Sequence, residues 1–489
     1  MTSVVDSLVS DSVSQFMNVL STLKSAQLSS GDGQLNLQPI LEAQKNIATA
    51  NQSLQQQVQK YQQLPKAHIG MVKNAYATGN TQLTKMADKV NQLSGTFQIL
   101  PDFLGSDQPR TYALMAMTTS EERSSGGLIG SVGVVTTDNG KISIGDFRSN
   151  GEYIPYGAGD PTEDEQRIFR QWGPLNMSFD VRDLAVYPDT SRSAEGMRAI
   201  WQRTPWGSNT QLDGVLMVDP VFLQELTKIS GNVTIPDGTV LTGDNTAEFL
   251  LNKVYVDYPV SMQDTLFAQV AEQTVGSMFS NVDLAKLTKV AQLMGSMAEG
   301  RHFSMYAFDE TAEKTISDAG FTAQTPSSEE HPQVGVYVTE QNPSKMGWYI
   351  HRTSKVTRST CGNDGSQYHV EYKMTNTLES SQIGALTSYI LGSGGQGVEK
   401  TLIYAPAGGS ISNLKTSGGS VTESRQETLN GKTVYASNAT IAPGESVTYS
   451  FDVTTSTKAV SDLTIDQTPM GWIDSGVTTD TAACSINKQ

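Results

Sequence analysis

A chain of 489 residues is long enough for about three domains, and its formal net charge of −16 argues against a nucleic-acid partner, whose phosphate backbone calls for a basic surface. Hydrophobic residues make up 37% and charged residues 17%, both low, so the chain is closer in balance to exported bacterial proteins than to cytosolic enzymes. Five scattered histidines and two cysteines lack zinc-ligand spacing, which argues against a histidine-rich metal site.

Residues 1–100 read as a helical stalk or small bundle. Val9, Val13, Phe16, Leu20 and Leu23 step by four and three; Ile40, Ile47, Leu54 and Tyr61 repeat every seven; Leu83, Met86, Val90, Leu93 and Phe97 step by three and four. These are apolar stripes of amphipathic helices. Ser29-Ser-Gly-Asp-Gly33 breaks the first helix from the second, and Pro65 ends the second. Heptad spacing also allows self-association through this region. Met1-Thr-Ser-Val-Val5 opens into the helical pattern without a signal peptide, and no run of eighteen apolar residues occurs. The chain is then either cytosolic or an exported domain whose membrane anchor lies outside this sequence; composition and cysteine placement favour the second, on the outer face of a cell membrane or in the wall.

Residues 101–330 alternate between strand and helix patterns and read as an α/β domain around a central sheet. Tyr112–Met117 and Leu128–Val135 are short apolar runs, and between them lie Glu121, Glu122, Arg123, two serines and Gly126-Gly127. The spacing predicts strand, polar turn, strand. Asp138-Asn-Gly140 is a strong hairpin signal before Lys141–Phe147. Leu212–Asp219 reads as a buried strand, with Pro220 placed to begin a helix. Asp264–Phe279 and Asp283–Ala298 read as two amphipathic helices.

Residues 331–489 lose helical periodicity. Tyr368–Met374, Glu399–Tyr404, Thr433–Ser437 and Ser446–Val453 alternate apolar and polar between Gly, Ser and Asn clusters, the pattern of an immunoglobulin-like β-sandwich. Cys361 precedes its first clear strand and Cys484 follows its last, so one disulfide tying the chain end to the start of the domain is expected, with two buried thiols as the alternative. The fold class is therefore multidomain α+β: helical hairpin or bundle, central α/β sheet domain, terminal sandwich.

The central segment resembles an exported Gram-positive family described as domain of unknown function 4012. The resemblance is carried by Arg110-Thr-Tyr112, by Thr118-Thr-Ser-Glu-Glu-Arg-Ser-Ser-Gly-Gly-Leu-Ile-Gly-Ser131, by Asp138-Asn-Gly-Lys141 with Asp146-Phe147, by Arg182-Asp-Leu-Ala-Val-Tyr-Pro-Asp189 and by Leu212-Asp-Gly-Val215. Two asparagines of the family pattern are Thr118 and Thr119 here, and its Asn-Trp is Ala185-Val186. The order of elements is also similar to LytR-CpsA-Psr phosphotransferases, through Leu212–Ile235 and Thr242–Leu251. That likeness implies a lipid-linked partner, a polyprenyl-pyrophosphate glycopolymer handled in cell-wall assembly, with arginines and a magnesium ion at the site. Where those enzymes carry an arginine-bearing strand, this chain has Lys253-Val-Tyr-Val-Asp-Tyr-Pro259.

Pyrophosphate transfer depends on positioning and charge neutralisation. Arg123, Arg182 and Asp183 are the candidate catalytic residues, and Glu121, Arg148, Asp189 and Arg192 the candidate binding residues, all expected in loops at the carboxyl edge of the sheet. The opposing readings are a structural ion pair for Arg123 and a helix cap for Asp189. A non-enzymatic surface scaffold or adhesion module is the alternative function. An apolar tunnel in the core would favour the lipid reading, and a filled core the scaffold.

Overall fold

The computed structural model describes residues 18, 21, 23–24, 26–31, 34–64, 70–278, 282–362 and 364–482. Val9, Val13, Phe16, Leu20 and Cys484 lie outside them.

Helices α1 (Gln38–Gln62) and α2 (Gly70–Phe103) form an antiparallel hairpin. Its register is marked by Gln44 donating to the Gln98 carbonyl, Asn51 to Asn91 and Gln62 to Thr84. Ile40, Ile47, Leu54 and Tyr61 are all buried, so the seven-residue stripe is used within the chain. The hairpin is no free stalk. Leu35, Ile47, Leu93 and Phe97 share a cluster with Leu287 and Ala291, and the short strands Ser29–Gly31 and Gln34–Leu35 extend the edge of the core sheet.

That sheet is built on β1 (Arg110–Arg123), β2 (Gly126–Asp138), β3 (Lys141–Ile144), β4 (Gly214–Val218) and β5 (Phe303–Ala307), in the order β3-β2-β1-β4-β5. Only β1 and β4 run parallel; the neighbouring pairs are antiparallel. The hairpin at Asn139-Gly140 forms as expected, both residues at positive φ (45° and 85°). The polar stretch after Met117 is not the expected turn. Strand continues to Arg123, and only Ser124-Ser125 separates β1 from β2.

One face of the sheet, with Leu114, Leu216, Val218, Phe303 and Met305, packs under α2, α4 (Pro220–Ser230), α5 (Val260–Met278), α6 (Leu284–Glu299) and α7 (Glu310–Asp318). Asp219 caps α4 by accepting from the Phe222 amide at 3.0 Å, and Pro220 fills its first turn. The opposite face, with Ala113, Met115, Val215 and Met217, packs against α3 (Thr190–Trp201) and against Tyr337, Leu402, Tyr404 and Ala436 of the C-terminal region.

The C-terminal region is two five-stranded sheets among the described residues. The first contains β6 (Gln333–Glu340), β9 (Gly397–Tyr404), β11 (Ser420–Leu429), β12 (Lys432–Ile441) and β14 (Thr464–Gln467). The second contains β7 (Ile350–Gly362), β8 (Gly365–Asn376), β10 (Ser410–Ser417), β13 (Ser446–Thr454) and β15 (Val477–Asp480). They meet on one apolar cluster, with Val336, Val338 and Ile441 facing Val370, Tyr372 and Phe451. Strand β6 is buried along both faces, one in the sandwich and one on the core sheet.

Candidate functional site

Thr118 pairs with Leu128 and Glu122 with Gly127, leaving Thr119, Ser120 and Glu121 bulged out of the β1–β2 ladder. Gly127 permits this approach: a Cβ there would lie 1.8 Å from the Thr118 carbonyl oxygen. The bulge divides three successive charges. Glu121 faces the helix-covered side of the sheet, whereas Glu122 and Arg123 reach into the junction with the sandwich.

On the helix-covered side lies an apolar cavity of about 380 Å³, within the range of small-molecule pockets. Its floor is β1, β2, β4 and β5, including Leu114, Ala116, Leu128 and Leu216; its walls include Ile99 of α2, Phe222 of α4, Ala268 of α5 and Val290 of α6. Its lining is mostly apolar, with polar groups that include Thr96, Ser131, Asn150 and Asp219 and the ion pair of Glu121. Lys345, just after β6, sends its ammonium into an ion pair with Glu121, 4.3 Å from the Tyr255 ring centroid and 5.1 Å from that of Tyr389. Thr118 Oγ1 lies 3.2 Å from the Tyr255 hydroxyl. Burial works against the Lys345 charge, but Tyr255 and Glu121 more than offset it, and its pKa is raised. Tyr389 is 45% exposed and stands at the rim.

Of the seven residues expected at the site, Glu121 alone lines this cavity. Arg123 and Asp183 do converge, but as a buried pair. Arg123 Nε and Nη2 donate to Asp183 Oδ1 at 3.0 and 2.9 Å. The other oxygen of Asp183 accepts from the Ser178 amide and hydroxyl at 2.8 and 2.7 Å. Burial raises the Asp183 pKa, yet the Arg123 charge and the Ser178 hydrogen bonds outweigh it, and the carboxyl is held below its usual range. Arg182 is bidentate with Asp180, at 3.0 and 2.6 Å. Arg148 pairs with Glu152 at 3.0 Å and lies 4.3 Å over the Trp206 ring. Asp189 accepts from the Thr325 amide at 2.6 Å, and Arg192 donates to Glu165 at 2.8 and 2.9 Å. Asp189 and Arg192 border a separate void of about 30 Å³, room for about one water.

Among the described residues no group of three or more His, Cys, Asp or Glu could hold a metal ion, and the candidate carboxylates are turned to Lys345, Arg123 and Thr325. His302, without an obvious partner in the sequence, sits 2.6 Å from Asp219 Oδ2. Lys345, Tyr255, Tyr389 and the α2 wall were not among the expected site residues. The Lys253–Pro259 segment, compared above with a strand, is helical through Asp257, which turns Tyr255 into the cavity.

Residues 107–255 match the family described as protein of unknown function (DUF4012). No curated protein matches the chain.

Proposed function

We propose that this chain is an exported cell-envelope protein whose core binds the hydrocarbon chain of a lipid-linked cell-wall glycopolymer. The carrying observation is the mostly apolar cavity between the core sheet and its helices, with the Glu121–Lys345 ion pair on its lining. An apolar cavity of about 150 Å³ takes a benzene molecule, so by that scale 380 Å³ takes roughly fifteen carbons. That matches the first few isoprene units of a carrier, not a whole long polyprenyl chain. Size and the mostly apolar lining thus support the LytR-CpsA-Psr likeness at the level of the lipid. Transfer chemistry is less well supported, because Arg123 and Arg182 are satisfied by Asp183 and Asp180.

The test is displacement of the neutral dye Nile red by farnesol. Wild-type protein should take up the dye and release it to farnesol, and Ala268→Trp, which fills the cavity from α5, should lose dye uptake at least tenfold while keeping its helical circular dichroism. Equal uptake by both proteins would remove the cavity from the reading. The scaffold alternative would then stand, favoured by the internally paired arginines.

The exported location and an immunoglobulin-like lineage for the sandwich belong to the same proposal, as does a Cys361–Cys484 bridge. Strand β15 runs parallel to β7, with Thr357 opposite Asp480. Cys361 lies near the end of β7, beyond that pairing. Intact-mass analysis after alkylation without reductant should add no label; two labels on protein exported from cells would refute the bridge.

A further inference from the structure

We infer that Lys345 is the receptor for the anionic head of a prenyl-chain amphiphile, and that Glu121 holds the place of that head in the empty protein. This rests on the cavity being a lipid site and adds which end of the lipid is recognised, by which domain, and with what sign of charge.

The argument begins with placement. Lys345 belongs to the sandwich, yet its ammonium reaches into the core cavity, with its side chain only 7% exposed. A lysine held so far from water needs a counter-charge, and the anion it meets is Glu121. That carboxylate is the less buried partner, 17% exposed, and it sits on the bulge of β1 rather than within the paired ladder. Tyr255 and Tyr389 complete the ammonium's surroundings through their ring faces, and the Tyr255 hydroxyl meets Thr118 Oγ1 at 3.2 Å. Glu121 can therefore turn toward solvent while the lysine stays caged. A ligand anion arriving in the cavity beside Lys345 then takes over the ion pair, its chain lying along the floor between β1 and the helices. The exchange keeps the buried charge neutralised and releases Glu121 to water. A neutral head gains nothing from Lys345, because it leaves the Glu121 pair unbroken. The acidic balance of the chain as a whole, −16, gives no general attraction for anions, so selectivity would come from this lysine.

The experiment compares farnesol with farnesyl phosphate as competitors of Nile red on the intact chain, at one fixed ionic strength. Wild type should bind the phosphate on the order of tenfold or more tightly than the alcohol, as a charge-assisted contact in a shielded site would give. Lys345→Met should erase that gap, so that alcohol and phosphate compete equally. Glu121→Gln, which removes the placeholder and leaves the lysine, should widen the gap further. If farnesol displaces the dye but the phosphate has no advantage in wild type, the head-group inference fails and the cavity reading survives. A gap persisting in Lys345→Met, or narrowing in Glu121→Gln, overturns it equally. If neither compound displaces the dye from wild type, both readings fall together. Should Lys345→Met not fold, the wild-type comparison and Glu121→Gln still decide.

Discussion

Three glutamates, Glu122, Glu340 and Glu399, lie at most 2% exposed where the core meets the sandwich. Arg352, itself 1% exposed, pairs with Glu122 at 3.0 Å and donates to the Pro469 carbonyl at 2.7 Å. Neither carboxylate oxygen of Glu399 meets a donor among the described residues. Burial, then repulsion from Glu122 and Glu340, pushes Glu399 well above the usual carboxylate range, against the pull of Arg352 and Arg123. Burial raises Glu122 to about 7 despite Arg352. A carboxyl whose folded pKa exceeds its unfolded value contributes stability below the unfolded pKa and loses it as pH rises through the folded one. Stability should therefore fall from about pH 4.5 through about 7, by up to roughly 3 kcal/mol for Glu122 alone. Glu399→Gln, neutral throughout, should raise stability at pH 8 by about 1–3 kcal/mol and change little at pH 4. Denaturant titrations at the two pH values check this, and a variant less stable at pH 8 would contradict it. The same buried junction explains what the sequence concealed. Charges at Glu121, Glu122 and Arg123 read as one polar loop, because nothing in their order reveals that a bulge sends the first into a cavity and the other two into a domain interface. Lys345 was equally hidden, since Gln341-Asn-Pro-Ser344 before it reads as ordinary turn chemistry.

Elements with their own local signal were legible. The Asn139-Gly140 turn, the Asp219-Pro220 start of α4 and the Asp283 cap of α6 each follow from the chemistry of one or two residues. The heptad of α1 was also legible as a stripe, but its partner was not. Periodicity says which face is buried and leaves open whether α2, the core or another chain buries it. The C-terminal half of α2 shows the consequence. Ile99 and Phe103 continue a helix that begins in the hairpin, yet they wall the cavity on the core sheet. A boundary at residue 100 therefore cuts through a single helix. The extension of β1 to Arg123 escaped notice for a related reason. Seven polar residues from Thr118 to Ser124 suit no half-exposed strand pattern, and all but Glu121 are buried because the sandwich covers one side and the core helices the other.

At the scale of the molecule, core and sandwich were expected as separate units joined near residue 330. Fold class could be read from the change in periodicity, whereas the extent of the interface could not, because the outer residues of β6 and β9 look like ordinary strand alternation. Tyr337, Leu402 and Ala436 belong to the same cluster as Met115 and Met217 of the core sheet. Buried cations cross the boundary in both directions. Arg301, at the end of the core helices, donates to Asp466 at 2.6 and 2.5 Å and to the Pro188 carbonyl at 2.6 Å. Lys400 of β9 donates to the Ile168 carbonyl at 2.6 Å, and burial brings its pKa down to about 7. An interface of this kind couples the two parts, since separating them would expose one apolar cluster and strand several buried charges. The core and sandwich should then unfold together. Phe451→Ala, which opens a hole in the sandwich at a fully buried ring, should cost about 3–5 kcal/mol. It should also lower, by the same temperature, the transition that hydrogen exchange reports for β4 in the core sheet. A β4 transition unmoved by Phe451→Ala would mean that the two parts melt independently, and that Lys345 could leave the cavity without the core unfolding.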